Sequence, residues 1–150
     1  KMKRHGYELT MDNAVQRLYD IAGVRAICAF EHDVYHLAEV LLQHEDIRLH
    51  HRKDFIQNPK ESGYRSLHLL ISVPIYLAAG KRDVRVEVQL RTITMDLWAS
   101  MEHELRYKQQ IAFPEDLNRE ILECADLSAA LDERMGRLQR NLTAYIALQE

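Results

Sequence analysis

Along DVRVEVQLRT (83–92), Val84, Val86, Val88 and Leu90 alternate with Arg85, Glu87, Gln89 and Arg91. Side chains alternate across a strand, so one face of this segment is apolar and the other carries cations, a carboxylate and an amide. Two further groups could join that polar face. Asp20 and Arg25 stand at the start of an apolar segment, and the turn-rich stretch NPKESGYRSLH (58–68) presents Lys60, Tyr64, Arg65 and His68 ahead of the apolar run LLISVPIYLA. Two carboxylates supplied by different strands, Asp20 and Glu87, are a simple way to hold Mg2+, which takes oxygen ligands and keeps several waters. Nearby cations would steady phosphates, and Tyr64 could stack on a base. A plainer reading folds Tyr64 back on the core, ends a helix at Asp20 and pairs Arg25 with it. Spacing alone does not choose between the two.

The elements that must position these groups follow from periodicity. Thr10 can cap a helix over 10–19 that carries Val15, Leu18 and Tyr19. IAGVRAICAF (21–30) is apolar on both faces and is expected to be a central strand. Val34, Leu37, Ala38, Leu41 and Leu42 form one stripe of a helix over 31–45 that would cover it. IRLHHRKDF (47–55), with Lys53, is a more polar strand. Strands at 66–77 and 83–92 follow, separated by a turn at Ala79-Gly80-Lys81, and then a helix over 93–108 with Leu97, Trp98, Met101 and Leu105. Strict alternation puts Asp20 and Arg25 on opposite faces, unless Asp20 precedes its strand or Gly23 marks a bulge.

Pro114 breaks the chain before a last helical region. Leu117, Ile121, Cys124, Ser128, Leu131, Met135, Leu138, Leu142 and Tyr145 are spaced alternately by four and three residues there, a heptad seam with Gly136 beside it as a weak point. The seam suits either core packing or contact with another copy. The order helix, strand, helix, three strands and two helices implies an α/β or α+β sandwich with a mixed sheet, in a single domain.

Composition narrows the chemistry mildly. The 150 residues carry a net charge of −3 and are 47% hydrophobic, as in an ordinary globular protein. No apolar run is long enough to span a bilayer, and the basic start KMKR is not followed by the apolar core of a secretory signal. Cys28 and Cys124 each sit in an apolar pattern and are expected to be buried free thiols in the cytoplasm. Eight Lys/Arg face four Asp/Glu over 51–91, and the balance reverses over 115–150. A basic middle of that size fits a phosphate-rich ligand better than a nucleic-acid duplex. His32-Asp33 belongs to a helix start, and His50-His51 on a strand would point apart, a poor metal pair.

DIAGVR (20–25), NPKESGYRSLH (58–68), VEVQLRT (86–92) and MDLWASMEHELRYK (95–108) together resemble the synthetase domain of the RelA/SpoT family, closest in order and spacing to the stand-alone small alarmone synthetases. The resemblance runs from about residue 6 to residue 108. It implies a nucleotidyltransferase-like fold with a mixed sheet of about five strands, a catalytic core over 1–108 and an oligomerisation region over 115–150. It also implies Mg2+-dependent transfer of pyrophosphate from ATP to the 3′-hydroxyl of GDP or GTP, giving (p)ppGpp and AMP in the stringent response. On this chain Asp20 matches the family's magnesium ligand, and Glu87 matches a second ligand that doubles as base for the ribose hydroxyl. Arg25 matches the side chain that stacks on adenine, and Tyr64 the ring that stacks on guanine. Lys53, Lys60, Arg65, His68, Gln89 and Arg91 fall in the stretches that line phosphates and ribose, and Glu102 matches an acidic position on the following helix.

The chain departs from the family pattern at Ser62, where many relatives have Asn. A basic Arg-x-Lys segment that binds ATP phosphates in relatives lies upstream of the stretch matching Lys1. Similar small synthetases are cytoplasmic homotetramers, so the C-terminal helices are expected to assemble four copies. Arg134, Arg137 and Arg140 beside the seam suit either setting its register or a site for a phosphorylated regulator, and an allosteric alarmone or RNA is left open as a partner. Transfer to another acceptor, an adenine nucleotide or a tRNA end, and a nucleotide-binding module without activity both remain alternatives at this level.

Overall fold

The computed structural model describes residues 2, 3, 6–10, 22–78, 80–107 and 114–149. The alternation over 83–92 becomes part of a longer strand, β4 (Gly80–Thr92), which buries Val88 and Leu90 and lies between two neighbours. It pairs in parallel with β1 (Ala22–Cys28) and antiparallel with β3 (Leu67–Leu77), and β3 pairs antiparallel with β2 (Arg48–Asp54). The order β1-β4-β3-β2 makes a mixed sheet of four strands among the described residues, where about five were expected. Those four are the segments legible along the chain. The helix expected over 10–19 lies, Thr10 apart, outside the described residues.

One expectation differs from the described sheet. β1 lies at an edge of the described sheet, and Val24 and Ile27 are half exposed. Apolar residues on both faces of a strand report what covers those faces. They carry no information about whether both backbone edges are paired.

A helix, α1 (Glu31–Leu42), covers one face of the sheet. Its Val34 and Ala38 are buried with Leu67, Leu69, Ile71, Val88 and Leu90, and each valine, leucine or isoleucine among them contributes about 1.5–3 kcal/mol when taken out of water. The helix starts where the Phe30 backbone N–H donates to Asp33 Oδ2 at 3.2 Å, and His32-Asp33 lies in its first turn, the helix start expected of that pair.

Helix α2 (Ile93–Tyr107) leaves β4 directly, and α3 (Glu115–Ala147) closes the chain. At 33 residues α3 extends about 50 Å, and Gly136 does not interrupt it. Its buried residues are Ile121, Ala125, Asp132 and Gly136, a stripe offset from most of the heptad seam. Ile121 and Ala125 pack with Trp98, Tyr64 and Ala99, and Trp98 Nε1 donates to the Ile121 carbonyl at 3.1 Å. Asp132 is tied to the end of β4, accepting from the Thr92 hydroxyl at 2.5 Å and from the Thr94 hydroxyl. Leu131, Met135, Leu138, Leu142 and Tyr145 face outward, each about half exposed or more. Cys124 is likewise exposed rather than buried, because it sits on the outward seam beside Ile121 instead of on the packed stripe. No helix among the described residues is long and apolar enough to cross a membrane.

Candidate active site

The register of the sheet assembles the polar residues. Lys53 is opposite His68, His68 is opposite Gln89, and Gln89 is opposite Arg25. Directly opposed residues share a face, so these four form one row across all four strands. Glu87 and Arg91, two positions either side of Gln89 on β4, lie on the same face. The β1–β4 register runs without a shift from Ala22 to Cys28, so Gly23 marks no bulge.

The loop that follows β2 is held at both ends. Asp54 Oδ1 accepts from the backbone N–H groups of Ile56 and Gln57 at 3.0 and 3.1 Å and from the Tyr35 hydroxyl at 3.3 Å. Burial, and then the Asp54 carboxylate, push the Tyr35 hydroxyl up to about 12, so it remains a donor. Farther on, Lys60 N–H donates to the Tyr64 carbonyl, and Gly63 N–H to that of Lys60. Gly63 adopts φ +85, and a Cβ there would stand 2.6 Å from the Cβ of Ala125. The glycine is required twice, by its backbone conformation and by the approach of α3. This clamp sets Tyr64 between the cluster of Trp98, Ile121 and Ala125 and the polar face.

Five side chains then close a hydrogen-bonded ring. Arg91 Nη2 donates to the Tyr64 hydroxyl at 2.5 Å and to Gln89 Oε1 at 3.1 Å. Gln89 Nε2 donates to Glu87 Oε2 at 3.1 Å. The Tyr64 hydroxyl lies 2.8 Å from His68 Nε2, and His68 Nδ1 lies 3.3 Å from Glu87 Oε1. Burial lowers the His68 pKa from its ordinary value, with Lys60 and Arg91 acting in the same sense against the opposing pull of Glu87. A neutral imidazole has one donor and one acceptor, and the ring assigns them. Nδ1–H donates to Glu87, and Nε2 accepts from Tyr64, whose oxygen accepts from Arg91. The Lys60 ammonium lies 4.7 Å from the centroids of both Phe55 and Tyr64, and the Arg91 guanidinium 5.0 Å from that of Tyr64.

Other expected site residues lie elsewhere. Arg65 turns toward α3, with Nη2 3.8 Å from Asp126, beside a polar cavity of about 380 Å³ that Glu31, Asp132 and Glu133 also line. Glu102 is paired with Arg106, which also donates to Asn118 at 2.8 Å, so these groups brace α2 against α3. Asp20 lies outside the described residues. One residue that periodicity did not single out belongs to the site: Asp96, in the first turn of α2, lies 3.1 Å from both Arg25 and Arg91. Its only sequence signal was its place at the head of MDLWASMEHELRYK, directly after the strand that carries Arg91.

Glu87 suits a magnesium ion. Its side chain is about one-third exposed, and each carboxylate oxygen accepts one described hydrogen bond, from His68 or from Gln89. Each oxygen therefore keeps a lone pair free for a hard cation.

The arrangement has close relatives. A model of the region found in RelA/SpoT proteins matches residues 1–112. The chain is 47% identical to the GTP pyrophosphokinase YwaC of Bacillus subtilis (strain 168) over 142 residues, which are 95% of this chain and 68% of that protein. Identity to YjbM, a second GTP pyrophosphokinase of that organism, is 35% over 125 residues, covering 83% of this chain and 59% of the relative. The crystal structure of small alarmone synthetase 2 from Bacillus subtilis superimposes with a TM-score of 0.85 at 43% identity, over 93% of this chain and 72% of the other. Small alarmone synthetase 1 from the same organism, solved bound to its product pppGpp, gives 0.83 at 32% identity, over 95% and 71%. With the same fold and identity at this level across nearly its whole length, the chain belongs to the RelA/SpoT family and groups with the small alarmone synthetases.

Proposed function

We propose that the protein is a GTP/GDP pyrophosphokinase, transferring pyrophosphate from ATP to the 3′-hydroxyl of GDP or GTP to make (p)ppGpp and AMP. The observation that carries this reading is the position of Glu87. Its carboxylate is open to solvent on one side, held from the other by His68 and Gln89, and flanked along the sheet by Arg91, Lys53 and Arg25. Glu87 takes the proton of the ribose 3′-hydroxyl, which then attacks the β-phosphorus of ATP while the bond from that phosphorus to the α-phosphate oxygen breaks and AMP leaves. Such transfer depends on alignment and charge neutralisation more than on covalent help.

Each remaining residue has a part suited to its place. Tyr64, clamped by Gly63, offers its ring to guanine, and Arg25 offers its half-exposed guanidinium to adenine. Lys53, Lys60 and Arg91 supply positive charge to the phosphates, with Arg91 also fixing Tyr64 and Gln89. Asp20 and Glu87 would hold Mg2+, which when bound neutralises phosphate charge.

The reading extends to assembly. The outward seam of α3 and a groove of about 360 Å³ between α2 and α3, lined by Leu97, Met101, Leu105 and Leu131, are apolar surface that a further copy would cover. We place the active protein in the cytoplasm, as a homotetramer joined through its C-terminal helices.

The test is nucleotide chromatography of full-length protein incubated with ATP, Mg2+ and GDP or GTP. AMP and a guanosine tetra- or pentaphosphate should appear together. Glu87→Gln should lower turnover by at least about 100-fold, the scale of losing general-base catalysis, and Asp20→Asn should lower it strongly by weakening the hold on Mg2+, each with the fold intact. Near-normal turnover in both variants would overturn the assignment.

A further inference from the structure

We propose that Asp96 is a positioning residue that locks Arg25 and Arg91 into one frame, so that the adenine and guanine sites keep a fixed separation; this rests on the functional reading above. A single oxygen, Asp96 Oδ1, lies 3.1 Å from Arg25 Nη1 and 3.1 Å from Arg91 Nη1. The two arginines stand on adjacent parallel strands, offset by one pleat on the same face: Arg25 is opposite Gln89, and Ile27 is opposite Arg91. Like charges that close repel each other, and an anion between them reverses the sign of the interaction.

The two arginines differ in surroundings. The Arg91 side chain is 5% exposed and that of Arg25 is 48% exposed. A buried guanidinium needs a counter-ion, and Asp96 is the one carboxylate paired with Arg91 among the described residues. Arg91 in turn holds the ring of Tyr64, His68, Glu87 and Gln89 through its Nη2 donors. Asp96 therefore joins Arg25 to that ring, and through it to the attacking end of the reaction. The carboxylate comes from a different element from either arginine, the first turn of α2, so a rigid helix sets its position.

The described hydrogen bonds of the Asp96 carboxylate go to Arg25 and Arg91 together, so its loss should largely spare binding of each nucleotide and disturb their mutual alignment. An error of one ångström between reactants costs on the order of 100-fold in rate. In the full-length protein, Asp96→Asn should lower kcat by about 100-fold, with Kd for GDP and for a non-hydrolysable ATP analogue each within about fivefold of wild type. Asp96→Glu, which restores the charge, should recover about tenfold of that loss. In 15N-labelled protein the side-chain Nε–Hε resonances of Arg25 and Arg91, assigned with Arg→Lys variants, should both move in Asp96→Asn. A kcat within about threefold of wild type, or resonances that stay in place, would overturn the proposal. Equal loss of folded protein in Asp96→Asn and Asp96→Glu would overturn it too, in favour of a purely structural ion pair. A wild-type chain that makes no alarmone, while both resonances move in the variant, would instead overturn the functional reading and leave the frame standing.

Discussion

His68 Nδ1 lies 3.3 Å from Glu87 Oε1, and that contact decides how the site holds its protons. With Nε2 engaged by the Tyr64 hydroxyl, the imidazole can serve Glu87 only as the Nδ1–H tautomer. Glu87 is then an acceptor from two neutral donors, His68 and Gln89. In the proposed reaction, a base held in this way is oriented without being neutralised and stays available for the proton of the incoming hydroxyl.

The lowered pKa of His68 sets a direction for stability against pH. The folded state resists protonation of this imidazole, whereas the unfolded chain takes the proton near the ordinary value of 6.5. Between those two values the unfolded state binds more protons, so stability falls as pH drops below about 6.5. The denaturation midpoint of His68→Gln should drop less than that of wild type between pH 7.5 and pH 5.5, conditions about one unit either side of that value. Equal drops would show that His68 titrates alike in both states.

Tyr64 should separate stacking from hydrogen bonding. Tyr64→Ala should weaken guanine-nucleotide binding by about 1–3 kcal/mol, the scale of base stacking on an aromatic ring, and change ATP binding little. Tyr64→Phe keeps the ring and should retain most of that affinity while losing the link from Arg91 to His68. Calorimetry showing equal losses for both nucleotides in Tyr64→Ala would make the residue a packing group.

Gly63 tests the clamp between loop and helix. A methyl group there meets both a left-handed backbone and Ala125, so Gly63→Ala should destabilise the protein by about 2–4 kcal/mol. Gly80 also has positive φ, but a methyl group there would meet nothing within 4 Å, so alanine should suffer backbone strain alone and cost less. Thermal denaturation of the two variants compares the terms directly, and a smaller loss at Gly63 would contradict the close approach.

The seam of α3 makes a prediction about size. Leu131→Asp together with Leu138→Asp should give a smaller particle by light scattering, because both side chains are half exposed in the single chain and would be buried only between copies. A wild-type protein that is monomeric at high micromolar concentration would remove the assembly proposal.

What the sequence determined by itself is local. Alternation over 83–92 separated Glu87, Gln89 and Arg91 from Val88 and Leu90, and the helical stripe of Val34 and Ala38 marked the layer above the apolar face. These follow from fixed periods, because strand and helix geometry put residues on faces whatever lies beyond them. The motifs carried the family as well. Partners were decided only by the tertiary structure. Register placed Lys53, His68, Gln89 and Arg25 in one row, and topology put β1 at an edge of the described sheet despite its apolar sequence. Packing chose Ile121, Ala125, Asp132 and Gly136 as the inner stripe of α3, turned most of the heptad seam outward and drew Arg65 to Asp126. Asp96 gained its role from the same source. A period says which way a side chain points, but a salt bridge across 71 residues exists only once α2 is docked beside β1.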